Sequence, residues 1–265
     1  MLACRVRMGS YRKKGILISE LPVGAKVVDK SWQWEHKTGF NYTGSGKVKP
    51  VVFRVVAKNH EGYPNNSVTL LSEEIIAKHM FDNSGNYGSN NWGDSGASTA
   101  SKGIRKFLNG SSYIGGDNNL YPVTFYDSIG NDFKSAILET NLVNRRYNSN
   151  TDYFTKDKIF LPSQTEYGGG SYGTKVIGIN YGYFSSDSSR IAQFNGNNFN
   201  YWTRSPYSSN SQAVRLVHSN SPGPAGSFGE LSAYNSDFGI RPALNVGSGV
   251  RVSDTTDVDG CYIVV

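Results

Sequence analysis

The sequence predicts an α+β domain of short strands, two or three helices and long polar loops, and three observations predict it. Apolar runs are short and punctuated by turn residues, with 30 Gly in 265 residues, so no element is long. Helical periodicity is confined to the middle of the chain while strand-like segments lie at both ends, unlike the alternation of a βαβ fold. The aromatics, 17 Tyr, 13 Phe and 4 Trp, are too many for a solvated coil and sufficient to build a core.

Taken in order, "GILISELPVGAKVV" opens the ordered part with a short apolar strand and Pro-x-Gly turn chemistry. "PVVFRVVAKNH" alternates around β-branched residues and reads as a strand, as does "SVTLL". "SEEIIAKHMF" offers Ser72 as an N-cap and Glu73-Glu74 as an acidic first turn, so a helix is expected there. A polar loop, 82–100, follows. "SKGIRKFLNG" places Ile104, Phe107 and Leu108 on one helical face and stops at Asn-Gly. "NDFKSAILETNLV" repeats the helical pattern with Phe133, Ala136, Ile137 and Val143. "DKIFLPSQTEYGGG" is a strand running into a capping box, Ser163 to Glu166. Beyond it come short strands, "YWTRSP", "AVRLVHS", "GSFGELSAY", "GIRPALNV" and finally "CYIVV". No repeat and no linker divides the chain, which gives one domain over 15–265 behind a basic tail, 1–14.

The net charge of +6 invites a nucleic-acid reading, but its distribution argues against one. Arg5, Arg7, Arg12, Lys13 and Lys14 lie in the tail, and the last lysine is Lys175. From residue 176 onward five Arg face six Asp and Glu, so the C-terminal third lacks the clustered cations that phosphate binding needs. Cys4 and Cys261 make no disulfide framework and read as free thiols. No run is long and apolar enough to span a membrane, and "MLACRVRMGSYRKKG" has no apolar signal core, with Met8 an alternative start. The expected product is made in a cytoplasm and reaches a virion or cell surface by lysis or assembly.

Catalytic and metal motifs are missing. His36, His60, His79 and His218 have no metal-ligand spacing, and His79 reads as a packing residue. In "DTTDVDG", Gly260 as the sixth residue of a calcium loop puts Thr255 first and the twelfth position past Val265. "GGGSYG" at 168–173 lacks the lysine of a phosphate loop. The sequence therefore predicts no enzyme, no metal and no cofactor.

The segments "LSEEIIAKHMFD", "IRKFLNG", "FKSAILET", "IFLPSQTE", "YWTRSP" and "GIRPALNV", in this order, resemble an uncharacterised domain family of Gram-positive bacteria and their prophages. From "YWTRSP" to "GIRPAL" the chain is similar to C-type-lectin-fold proteins, including formylglycine-generating-enzyme-like domains, and to the variable proteins of diversity-generating retroelements. The resemblance implies a C-type-lectin-like fold with Trp202 and Ile240 in its core and Arg204 and Arg241 tying loops to carbonyls or carboxylates. In retroelement-diversified proteins Asn codons of a template become most amino acids but never Lys, Glu, Gln, Met or Trp. Within 195–238 only Trp202, Gln212 and Glu230 fall outside that set, and the Tyr, Ser, Gly and Asn that dominate also suit a binding face.

The expected function is therefore non-catalytic recognition of a protein or glycan on a target cell. Candidate contacts are Asn198, Asn200, Tyr207, Ser209, Asn210, His218, Asn220, Phe228, Tyr234, Asn235 and Asp237. Nucleic acid on that face and membrane insertion are not expected, and the N-terminal part offers docking to a larger particle. A fixed-specificity or structural particle protein is the alternative. A formylglycine-generating oxidase fits less well, because its copper-binding cysteine pair has no counterpart beside Cys261. The calcium-site motifs of sugar-binding C-type lectins are also missing.

Overall fold

The computed structural model describes residues 15–36, 47–82, 89–93, 103–110, 113–114, 120–121, 124–171, 176–219, 222–235 and 238–265. The tail 1–14, Cys4, Asn220, Asp237 and most of the loop expected at 82–100 lie outside them.

After a two-residue strand at Ile16–Leu17, the first strands of the main sheets are β1 (Lys26–His36), β2 (Lys47–Lys58), β3 (Ser67–Ser72) and β4 (Ala77–Lys78). Three short helices follow, α1 (Ile104–Asn109), α2 (Phe125–Ser128) and α3 (Asn131–Ala136). Then come β5 (Ile137–Leu138), β6 (Thr140–Arg145), β7 (Asp152–Asp157) and β8 (Ile159–Phe160). The C-terminal third holds β9 (Tyr201–Pro206), β10 (Ala213–Val217), β11 (Phe228–Ser232), β12 (Gly239–Ile240), β13 (Ala243–Gly247) and β14 (Cys261–Ile263).

Two curled sheets use most of these strands. Sheet I is seven-stranded, in the order β8-β13-β3-β2-β1-β14, with β5 also pairing β13. Its centre, β3, is buried along its whole length, as a run of Val, Leu and Thr covered on both faces should be. Sheet II is five-stranded, β11-β10-β9-β12-β4. The β6 and β7 strands form a separate two-stranded hairpin. One hydrophobic cluster runs from Ile18 to Val252 and includes residues of both sheets. Near α2 and α3, Trp32 stacks on Phe53 with centroids 6.0 Å apart and meets Phe125 at 5.1 Å.

Two of the chain's passages between the sheets lie side by side. After β3 the chain passes through 72–77 into β4, and after β12 it passes through Arg241-Pro242 into β13. Ser72 N–H donates to the Pro242 carbonyl at 2.9 Å and Ile76 N–H to the Ile240 carbonyl at 2.9 Å. The buried Arg241 donates through Nε to the Ser72 carbonyl at 2.9 Å, and Trp34 Nε1 donates to the Ile76 carbonyl at 3.0 Å.

Strand outweighs helix, 39% against 11%, which replaces the α+β, C-type-lectin-like (formylglycine-generating-enzyme-like) expectation with a mostly β architecture of half-barrel sheets. Two local misreadings account for much of the difference. Residues 72–81 are extended, not helical, because Ile75, Ile76, Ala77, Met80 and Phe81 are all buried and leave no solvent face for an amphipathic helix. Glu73, read as a helix first-turn acid, instead accepts from Arg54 Nε at 2.6 Å. The helix over "NDFKSAILETNLV" stops at Ala136, where Ile137 and Leu138 are captured by β13 and the remainder becomes β6. The Ser163–Glu166 capping box forms, with reciprocal bonds of 2.8 and 3.1 Å, but it closes turns and no helix follows.

His79 lies at the seam of these elements, fully buried, its ring stacked 5.5 Å from Phe107 and its carbonyl accepting from Trp202 Nε1 at 2.9 Å. Burial pushes its pKa down from 6.5 to about 4. The folded protein therefore binds fewer protons than the unfolded chain between those values, and stability falls as pH drops from 6.5 to 4, by about 3 kcal/mol. His60 and His218, lowered chiefly by burial, act in the same direction. Urea midpoints across this window should decline less steeply in His79→Gln than in the wild type; equal slopes would refute the assignment.

Candidate functional site

Every residue of β9, Tyr-Trp-Thr-Arg-Ser-Pro, is buried. An arginine inside such a strand needs a carboxylate, since an unpaired buried charge is not tolerated. Glu166 supplies it from the capping-box turn. Arg204 Nη2 lies 2.6 Å from Glu166 Oε1, Nη1 makes a second short contact with the other oxygen, and Nη1 also donates to the Leu161 carbonyl at 3.0 Å. The carboxylate further accepts from Ser163 N–H at 2.8 Å, Tyr63 Oη at 2.8 Å and Tyr181 Oη at 3.2 Å. Gly178, at φ +75°, backs this cluster so closely that an added β-carbon would lie 2.5 Å from Glu166 Oε1.

Burial alone would raise the Glu166 carboxyl, but the Arg204 charge and the surrounding donors outweigh it and hold the group below the ordinary carboxylate range. Burial pushes the Tyr63 and Tyr181 hydroxyls well above theirs, so both remain neutral donors. With both ion-pair partners almost fully enclosed, the arrangement fixes the chain and leaves no approach for a substrate.

Three more buried arginines hold the surrounding loops. Arg190 donates to the carbonyls of Gly226 at 2.7 Å and Tyr167 at 3.2 Å, and its guanidinium lies 4.9 Å from the Phe228 ring centre. Arg215 donates to Gln164 Oε1 at 2.7 Å, pairs with Glu230, and covers the Tyr207 ring at 5.8 Å. Arg241 straps the crossings described above and also reaches Tyr201 Oη at 3.2 Å. Arg251, nearer the C-terminus, donates to the Gly15 carbonyl at 2.5 Å. All five arginines beyond residue 176 are thus turned to internal acceptors.

The candidate contacts divide into two groups at opposite ends of sheet II. Tyr207, Ser209 and Asn210 occupy the β9–β10 turn, beside Tyr234 and Asn235 just past β11, since Ala213 faces Ser232 in register. Asn198, Asn200, His218 and Phe228 lie at the other end, where Val217 faces Phe228 and Tyr201 faces Val217. A five-residue strand separates the groups by about 15 Å. In the first group Ser209, Asn210 and Tyr234 are exposed, Tyr234 at 46%. The second group is more embedded. Asn200 is buried and accepts from Ser219 N–H at 2.8 Å. Phe228 lies under Arg190. The His218 ring is wedged between Gly223 and Gly229, where an added β-carbon would come within 2.3 and 2.2 Å of it. Asn198 alone of this group is exposed.

Asn90 organises the first group and was missed from sequence. Buried, its Nδ2 donates to the carbonyls of Asn210 at 2.7 Å, Ala213 at 2.9 Å and Tyr207 at 3.3 Å. It sits in the polar stretch 82–100, where one asparagine among many carries no local signal. Glu166 was visible as a capping residue, and the buried-arginine rule could have marked it as the partner of Arg204.

A cleft of about 400 Å³ lies on sheet I, lined in part by Lys26, Lys30, Lys49, Glu73, Asp257 and Cys261. Lys30 pairs with Asp257 at 2.8 Å, Lys49 with Glu74, and Lys26 with Glu73 at 3.9 Å. Burial raises the free Cys261 thiol, which is the opposite of nucleophile activation. Among the described residues no three His, Cys, Asp or Glu side chains are grouped to hold a metal ion, and no helix is long and apolar enough to cross a membrane.

Removing either partner of the buried pair strands the other charge. Glu166→Gln and Arg204→Met should each destabilise by about 3–5 kcal/mol at pH 7, read from urea unfolding. Because the Glu166 carboxyl is depressed, its contribution is present above the ordinary value of 4.5 and is lost as pH falls below it. The gap between wild type and Glu166→Gln should therefore narrow in acid; a constant gap would show that the charge is not what matters.

No curated protein and no solved structure matches the chain. One family does, described as a domain of unknown function, DUF6273, over residues 66–248. That match runs from the start of β3 to the end of β13, more than two thirds of the sequence, and the chain therefore belongs to the DUF6273 family.

Proposed function

We propose that this protein is a non-catalytic recognition domain that binds a protein or glycan through the turns at the Tyr207 and Tyr234 end of sheet II. The observation that carries the reading is a division of labour in the same short stretch. The β9–β10 turn backbone is held from beneath by Asn90, and Arg215 braces Tyr207, while Ser209, Asn210 and Tyr234 are exposed. A surface fixed in this way presents its side chains without a large ordering penalty on binding. Tyrosine offers broad contact area and serine and asparagine offer adaptable hydrogen bonds.

The same separation supports a diversified face. Ser209, Asn210 and Tyr234 are exposed, whereas Asn200, His218 and Phe228 are enclosed by their neighbours and belong to the fixed frame. Variation written by a retroelement, on a protein carried by a virion or cell surface, is the specific form that the residue palette of 195–238 favours.

Sequencing the gene across a population of its source tests that form. Substitutions concentrated at codons 207–210 and 234–235, with 200, 202, 204 and 215 constant, are expected; a uniform sequence, or changes spread over the anchors, would leave a fixed-specificity or structural particle protein. For binding itself, the purified protein is applied to a glycan array and to a panel of bacterial cells. Tyr234→Ala should reduce retention about ten-fold or more with an unchanged thermal midpoint. A Tyr234→Ala protein that binds as the wild type does would remove this end of the sheet from consideration.

A further inference from the structure

The geometry points to a second function for the β6–β7 hairpin: its β7 edge is a self-complementary docking strand for a second copy of this chain. Among the described residues β7 pairs only with β6, through Asp152–Arg145 to Asp157–Thr140, and the ribbon joins neither main sheet by strand pairing, although β6 packs on the core and Thr140 accepts from Asn245 Nδ2 at 2.8 Å. Its inner face is anchored. Asp157 is buried and accepts from Trp92 Nε1 at 2.9 Å and Arg105 Nε at 2.7 Å, and Tyr153 Oη accepts from Gly93 N–H at 3.1 Å. The outer face carries Asp152, Phe154 and Lys156, all solvent-facing, with Phe154 59% and Lys156 72% exposed. Among the described residues nothing covers Phe154, and a phenylalanine exposed to that degree at the middle of a strand contributes little to the core.

Edge strands are ordinarily protected by a charge that repels an incoming partner, and Lys156 alone would be read that way. The order of the three outward residues argues otherwise. If two β7 strands pair antiparallel about a two-fold axis at Phe154, each residue meets the one equally far on the other side of it. Phe154 then faces its own copy, Asp152 of each protomer faces Lys156 of the other, and both ion pairs flank the aromatic contact on one face. Aromatic pairs and opposite charges directly across a ladder are the favourable cross-strand combinations. A one-residue shift to either side would instead bring outward residues against inward ones and lose all three contacts. Asp152 and Lys156 now engage Arg145 at 2.5 Å and Glu139 at 3.5 Å within the chain. Such exposed pairs contribute little and exchange readily. The strand is six residues long, so the interface falls below the standard size for stable complexes and the dimer is expected to be weak.

The test is sedimentation velocity of the full chain from low to high micromolar concentration, for the wild type, Phe154→Asp, Asp152→Lys, Lys156→Glu and the double variant Asp152→Lys with Lys156→Glu. Thermal midpoints check that each remains folded. A concentration-dependent dimer is expected, abolished in Phe154→Asp, weakened about ten-fold in each single charge variant, and restored in the double variant, where the cross-strand charges are exchanged and again complementary. A monomer at every concentration overturns the proposal. So does a dimer that the single variants leave intact, or one that the double variant fails to restore.

Discussion

The Glu166–Arg204 pair is the constraint on which the C-terminal half depends. An arginine in the middle of a fully buried strand has one acceptable state, with its charge paired, and the partner must be delivered there by a different part of the chain. The capping-box turn after β8 does this, and in doing so it fixes β9 relative to sheet I, because the strand leading into the turn is hydrogen-bonded to β13. Hydrophobic side chains of similar volume could have filled the same space, but they would tolerate sliding. A carboxylate receiving bonds from a guanidinium, two phenols and a backbone amide accepts one register only.

The same logic explains where the positive charge of this protein has gone. Arg190, Arg204, Arg215, Arg241 and Arg251 each spend their donors on internal carbonyls, carboxylates or amides. A basic isoelectric point therefore coexists with a C-terminal third that has no free guanidinium to offer a phosphate chain. Guanidiniums suit this work because a planar fork can bind several carbonyls of different loops at once, which a lysine ammonium does less well. Loops rich in Gly, Ser and Asn would otherwise be expensive to order, and these cross-links hold the segments at Tyr167 and Gly226 while Arg215 covers the Tyr207 ring.

Much of the local structure was legible in the sequence, and the failures share one cause. "YWTRSP", "AVRLV" and the final "CYI" became strands because their β-branched and aromatic residues fit a pleated surface, and α1 kept its apolar face of Ile104, Phe107 and Leu108. Residues 72–81 failed because helix signals are local whereas burial is not. Ser72 and two glutamates are a sound helix start for an amphipathic segment, but the segment lies between two sheets with its apolar residues covered on every side. The α+β reading failed with it. For the candidate site, the alternation of anchors and polar residues in 195–238 was visible, but its division into two ends of one sheet was not, because that depends on the β9–β10–β11 register. Asn90 could not be found from sequence, since three carbonyls from the other end of the chain give it its role.

The family match adds a structural consequence of its own. It begins at β3 and ends at β13, which are hydrogen-bonded neighbours at the centre of sheet I, and so it excludes β1, β2 and β14. Residues 66–248 taken alone would leave one side of β3 unpaired, exposing a six-residue strand of Val, Thr and Leu to solvent. An apolar edge of that kind invites association with other strands. In this chain β2 closes it in antiparallel register, and β1 and β14 then extend the sheet outward to a strand of only three residues. The segments flanking the family match are thus part of the same core, with Val51, Phe53 and Val55 buried beside Leu70 and Val246. The unit that folds is larger than the unit that sequence comparison recognises.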